Sequence, residues 1–278
     1  LYKNVVITLA SRDRLSEKVE PNWRALALGV SEPFGDFPRL DAVPDELRAV
    51  VRVAERAAGV QAARSPRARR RATVLPPAKM LRDGEFTLKE MEDSLGGYSL
   101  VHIASHFKFR PGDLTQSYLL LGGGPARELT LFEVKNNSRL KFDGVELLTL
   151  SACDTATGVG ADGSEVESFG ALAQQRGAKA VMATLWPVAD ASTRIFMEQF
   201  YGSWAATRGR SKAEAMRTAQ MALLRGEVRP SAVDLKRRDV SSAATNSRPH
   251  WKPYTQSEAA PFSHPYFWAP FILIGNWR

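Results

Sequence analysis

Three short apolar runs constrain the fold of this chain more than any other feature: "SLVHIA" at 99–104, "VELLTL" at 145–150 and "AKAVMATLW" at 178–186. Each is too short for a core helix, and the third is nearly continuous, as in a central strand covered on both faces. The segments between them carry helix signals. Thr87 with Glu90, Thr130 with Glu133, and Ser211 with Glu214 have the spacing of capping boxes, in which a hydroxyl and a carboxylate satisfy the first turn's orphan N–H groups. Strands that alternate with helices predict an α/β chain with a three-layer α/β/α architecture around a mostly parallel central sheet.

The rest of the pattern extends this scheme. Alternation over Asn4–Ala10 and Trp23–Ser31 predicts two early strands, and a helix is expected from Pro44 to near Gly59. "SYLLLGG" reads as a short strand or hairpin arm. Helices follow at Glu165–Arg176, at 191–207 with Asp190 as candidate N-cap, and at Lys212–Arg225. Residues 227–263, rich in Pro, Ser and charge, read as a long loop before a last strand in "WAPFILIGNW".

With 278 residues, 44% of them hydrophobic, the chain has ample material for a buried core. It contains no run of 18 apolar residues and no signal-peptide pattern at its start, so the expectation is a soluble, cytoplasmic protein with no membrane partner. The first residue is Leu1 rather than methionine, which suggests a piece of a longer protein. The net charge of +8 owes much to "RSPRARRRA" at Arg64–Ala72, with five arginines and no interleaved aromatic residue. That composition predicts a solvated loop, with nucleic-acid contact weak or indirect. Gly158, Gly160 and Gly163 match neither the phosphate-binding nor the dinucleotide-binding spacing, so no nucleotide cofactor is expected.

The single cysteine, Cys153, can form neither an internal disulfide nor a thiolate metal cluster, which leaves a core residue or a nucleophile. Its position resembles that of His106: each lies just past the last apolar residue of a strand. In parallel sheets reactive groups gather at the carboxyl ends of strands. A histidine beside a thiol can take its proton during attack, and backbone N–H groups of the flanking turns can stabilise the oxyanion that forms. Spacing alone leaves the core reading of Cys153 open. His102, four residues before His106, lacks a third ligand for a metal and reads as a buried, hydrogen-bonded histidine. His250 and His264 read as surface residues, and Trp186, Trp268 and Trp277 as core or cleft-wall residues at strand ends.

Four blocks in one order, "YSLVHIASHF", "LLTLSACDTATG", "DGSEVESFGALAQQRGAKAVMATLWPVAD" and "HPYFWAPFILIGNWR", resemble the CHAT family of caspase-like cysteine proteases, in the clan of caspases and separases. The resemblance runs from about Phe86 to Arg278 and more faintly through "PRLDAVPDELRAV". It implies a caspase-like fold in which 86–278 is the catalytic core and 1–85 the amino-terminal part of the same region. It also implies a cysteine endopeptidase with His106 as general base and Cys153 as nucleophile. Phe107 stands where caspases carry a glycine, so the second oxyanion donor is not identified. Asp190 aligns with a separase acid that receives a basic side chain before the cut, although an aspartate before a helix is also an ordinary N-cap. Asp154 and Glu165 flank the nucleophile loop, either lining the substrate cleft or structuring the loop. The family further implies a protein substrate, an upstream sensor module and a role in bacterial defence. No metal or cofactor is expected. The alternative is a catalytically silent caspase-like signalling module.

Overall fold

The computed structural model describes residues 23–64, 75–110, 112–151, 164–186, 190–228 and 259–278, with the side chains at 61–64, 164–168 and 190 excepted. The expected strand at Asn4–Ala10, most of the arginine-rich loop, the glycine-rich segment after Ser151 and most of 227–263 lie outside the described residues.

The expected three-layer α/β/α arrangement is present. Strands β1 (Ala25–Gly29), β2 (Ala78–Arg82), β3 (Leu100–Ala104), β7 (Leu147–Ser151), β8 (Ala180–Thr184) and β9 (Phe271–Gly275) form one six-stranded sheet in the order β2-β1-β3-β7-β8-β9. All neighbours are parallel except β8 and β9. A three-stranded antiparallel sheet, β4 (Phe107–Lys108), β5 (Tyr118–Leu120) and β6 (Glu128–Thr130), is inserted between β3 and β7. Strands from 23–85 and from 86–278 therefore share one sheet.

Side chains on successive strand positions go to opposite faces. Leu26, Leu28, Val101, Ile103, Leu148 and Val181 pack with α2 (Leu88–Leu95), α3 (Leu131–Asn136), α4 (Ser164–Gln175) and the small sheet. Ala25, Leu100, Leu147, Ala180 and Met182 pack with α1 (Val43–Arg64), α5 (Asp190–Ala206) and α6 (Lys212–Leu224).

Caps set several helix starts. The reciprocal capping boxes form at Thr130 with Glu133 and at Ser211 with Glu214. At α2 only half of the expected box forms: the Thr87 side chain accepts from the Glu90 N–H, while the Glu90 carboxylate is drawn away to Lys79 at 2.8 Å. Helix α1 runs through Gly59 to Arg64, since one exposed glycine costs only about 1 kcal/mol among strong helix formers such as Ala57 and Ala58. Helix α5 begins at Asp190 itself, one position earlier than expected. Strand β2 lacks the apolar density of its neighbours because it is the sheet edge, with only Leu81 buried and Met80 exposed.

Candidate active site

Position in the sheet comes first. After β1 the chain turns to α1 on one face, and after β3 it turns to the small sheet on the other face. Such a switch point opens a crevice beyond the carboxyl ends of the strands, where ligands gather in open α/β sheets. His106 lies there, two residues past Ala104.

The ring of His106 is 5% exposed and held from two sides. Its Nε2–H donates to the Pro38 carbonyl oxygen at 2.9 Å, and the Phe37 ring lies against it at 4.9 Å between centroids. A carbonyl oxygen can only accept, so the ring proton is fixed at Nε2 and Nδ1 becomes the basic atom. The backbone is fixed as well: the Leu120 N–H donates to the His106 carbonyl at 2.9 Å.

The loop that supplies Pro38 is built for the task. Phe34 and Phe37 exchange both backbone hydrogen bonds across a tight turn, in which Gly35 takes φ 54°. Arg127 stacks its guanidinium 3.8 Å above the Phe34 ring, and Arg39 forms a two-pronged pair with Glu32. Asp83 anchors the base of the loop. Its carboxylate accepts from the Ser31 N–H at 2.6 Å, the Ser31 hydroxyl and the Glu32 N–H at 3.1 Å. Burial raises its pKa, but these hydrogen bonds and the Arg82 charge outweigh burial and hold the carboxyl below the usual range. Asp83 is also the only non-glycine among the described residues with positive φ, at 51°. A Cβ on Gly122 would come within 1.9 Å of the Asp83 carbonyl oxygen, so only glycine lets the β5–β6 connection close over it. Sequence reasoning missed both Pro38 and Asp83. The Asp-Gly pair at 83–84 is a turn signal that could have marked the second; a backbone carbonyl such as that of Pro38 has no sequence signature.

Cys153 and Asp154 lie outside the described residues, as do the side chains of Glu165 and Asp190. Their supports are described. Ala104 of β3 pairs in register with Ser151 of β7, and the Ser105 N–H donates to the Ser151 carbonyl at 3.2 Å. His106 and Cys153 are each two residues beyond that pair. Glu165 is the second residue of α4 and Asp190 the first of α5. Trp186 and Trp268 close the same edge beyond β8 and the start of β9, with indole N–H groups donating to Tyr266 and Ser263 carbonyls at 3.1 and 3.0 Å. Trp277 follows β9 at the opposite edge, since Gly275 pairs with Ala180. His264 caps a short turn, its Nδ1 accepting from the Tyr266 N–H, whereas His250 lies outside the described residues.

His102 and His106 do not form a pair. The strand ends at Ala104; the His102 ring is fully buried against Glu46 and Tyr201, while the His106 ring meets Phe37 and Pro38. Among the described residues no group of three His, Cys, Asp or Glu is arranged to hold a metal, and no helix is long and apolar enough to cross a membrane.

No curated protein sequence matches the chain. Two similar solved structures are the crystal structure of the Arg-specific cysteine proteinase gingipain R and the complex of Porphyromonas gingivalis RgpB pro- and mature domains. The first shows 13% identity and a TM-score of 0.45, over 95% of this chain and 50% of the other. The second shows 11% identity and a TM-score of 0.43, over 97% of this chain and 50% of the other. The chain thus spans half the length of each solved structure. The CHAT domain family model matches residues 3–276, nearly the whole sequence, and the chain belongs to the CHAT domain family.

Proposed function

We propose that this CHAT domain is a caspase-like cysteine endopeptidase in which His106 is the general base and Cys153 the nucleophile. The observation that carries the reading is the placement of His106: its ring is fixed by Pro38 with Nδ1 as the basic atom, on a strand end that pairs in register with the strand end leading to the single cysteine.

In the proposed reaction Nδ1 takes the thiol proton as sulfur attacks the scissile carbonyl carbon. The tetrahedral intermediate expels the amine, which leaves with the proton from His106, and a thioester remains. Water then attacks the thioester and gives one proton to His106; the thiolate leaves and is reprotonated from the ring, and the product carboxylic acid is released. Backbone N–H groups of the turns after β3 and β7 would stabilise the oxyanion. Asp190, at the start of α5 on the same edge, would receive an arginine or lysine side chain before the cut through a charge-assisted hydrogen bond. Asp154 and Glu165 would shape the rim of the cleft. The substrate would be a protein partner, and the family resemblance supports control by an upstream sensor module in bacterial defence.

Cys153→Ala is expected to remove all new protein termini that the wild type generates in a cell lysate, with the folded structure retained. Termini produced equally by Cys153→Ala would overturn the assignment. Asp190→Ala should lose activity on arginyl and lysyl peptides far more than on other peptides; equal losses would return the residue to helix capping.

A further inference from the structure

Beneath the strand ends lies a buried polar chain that the proposed chemistry does not use. His102 on β3 and Thr149 on β7 are paired in register, and both are 0% exposed. The His102 Nε2–H donates to the Glu46 carboxylate at 2.8 Å. The His102 Nδ1 lies 3.3 Å from the Tyr201 hydroxyl, which lies 2.7 Å from the Thr149 hydroxyl. Glu46 and Tyr201 are themselves 3% and 1% exposed. Hydrogen-bond counting orders the chain. A carboxylate only accepts, so a ring proton sits on Nε2; where Nδ1 is the ring's accepting nitrogen it takes the Tyr201 O–H, and Thr149 donates to the Tyr201 oxygen. Tyr201 has no other proton to give, and burial raises its pKa further above an already high value.

Stability alone does not call for this arrangement. Leucine or valine at 102 and 149 would fill the same layer as Leu100, Leu147 and Met182 without burying polar atoms, and apolar replacement of a whole buried polar set is often neutral or stabilising. Hydrogen bonds offer direction, which apolar packing does not. The elements joined at this node are those that reach the crevice. β3 leads to His106 and β7 to Cys153. Glu46 lies in the first turn of α1, just after the loop that holds His106 through Pro38, and Tyr201 belongs to the helix that begins at Asp190.

We propose that Glu46, His102, Tyr201 and Thr149 form a positioning node that fixes β3 and β7 to each other and to α1 and α5, and thereby sets the spacing of the catalytic strand ends. The catalytic part of this inference rests on the peptidase reading; the mechanical part does not. The node residues touch no reacting atom.

Tyr201→Phe in the full chain keeps the ring and removes the shared hydroxyl. Losing the hydroxyl's two buried hydrogen bonds, at about 0.7 kcal/mol each, corresponds to about tenfold, so exchange of the Ser105 amide, which bridges to Ser151, should speed up about tenfold. Amides of β9 should keep their wild-type rates. Peptide cleavage should lose kcat about tenfold with KM within about twofold, the mark of misplaced reacting groups rather than lost binding. Thr149→Val should show the same pattern more weakly, and the double variant should be no worse than Tyr201→Phe alone, because the one bond that Thr149→Val removes is already absent there. Ser105 exchange within twofold of wild type, or an equal acceleration at Ser105 and in β9, overturns the node. Exchange needs no activity. An inactive wild type would therefore sink the peptidase reading while exchange still decides the mechanical one.

Discussion

The two faces of the central sheet are filled by different means. On the face covered by α2, α3 and α4, Leu26, Leu28, Val101, Ile103, Leu148 and Val181 meet Met91, Phe169 and Leu172, with hydrocarbon against hydrocarbon. The face covered by α1, α5 and α6 is also mainly apolar, but it buries Glu46, His102, Thr149, Tyr201 and the amine of Lys212. The first face contributes stability in proportion to area and is indifferent to small rotations. The second trades some of that stability for fixed angles. It is also the face on which α1 and α5 begin, two of the helices that start at the crevice. The fixed angles thus lie beneath the crevice.

Mutations on the two faces should therefore fail differently. The largest effect is expected from Phe169→Ala on the apolar face. Phe169 is 1% exposed and meets Phe107 edge-to-face at 5.7 Å, so about 4 kcal/mol of stability should go, read by urea unfolding, and any activity should follow the folded fraction. His102→Leu comes next, at about 3 kcal/mol, because it leaves the Glu46 carboxylate buried without its ring donor. Adding Glu46→Leu should restore much of that loss. A double variant less stable than His102→Leu would show that this face, too, is governed by area.

Lys212 sharpens the comparison through pH. Burial, the larger influence against the attraction of Glu146, lowers its amine pKa to about 8, and the amine donates to the Arg278 carbonyl at 2.5 Å. The unfolded chain then holds its lysine proton up to about pH 10.4, so between pH 8 and that value the unfolded state binds more protons and stability rises with pH. Unfolding at pH 7.5 and pH 10 should differ by about 2 kcal/mol from this group, and Lys212→Met should remove that contribution.

The smallest effect belongs to the rim. The Asp83 carboxyl is held below its ordinary value, so its contribution is complete above about pH 4 and is lost as pH falls through the lower folded value. Asp83→Asn should cost about 1 kcal/mol at neutral pH and flatten the acid limb of the stability curve.

Sequence disclosed the apolar half of this molecule better than the polar half. β3, β7, β8 and β9 were legible because their apolar runs reflect cover on both faces. β2 was not, since an edge strand needs only Leu81 inside, and neither were β4, of two residues, and β6, whose three residues bury only Leu129. His106 could be placed past its strand, yet its orienting partner is a main-chain oxygen 68 residues away. The burial of His102 was legible, but its partners are 56 and 99 residues distant and emerge only when α1 and α5 close on the sheet. Long-range hydrogen bonds between single side chains leave no periodic trace.

Ala104 and Ser151, two residues before His106 and Cys153 in the sequence, are partners on one rung of the ladder although they lie 47 positions apart along the chain. The small sheet and α3 fill the connection between them, and the Leu120 N–H on the His106 carbonyl ties the small sheet back to the end of β3. A single residue inserted into β3 or β7 would reverse the facing of everything beyond it.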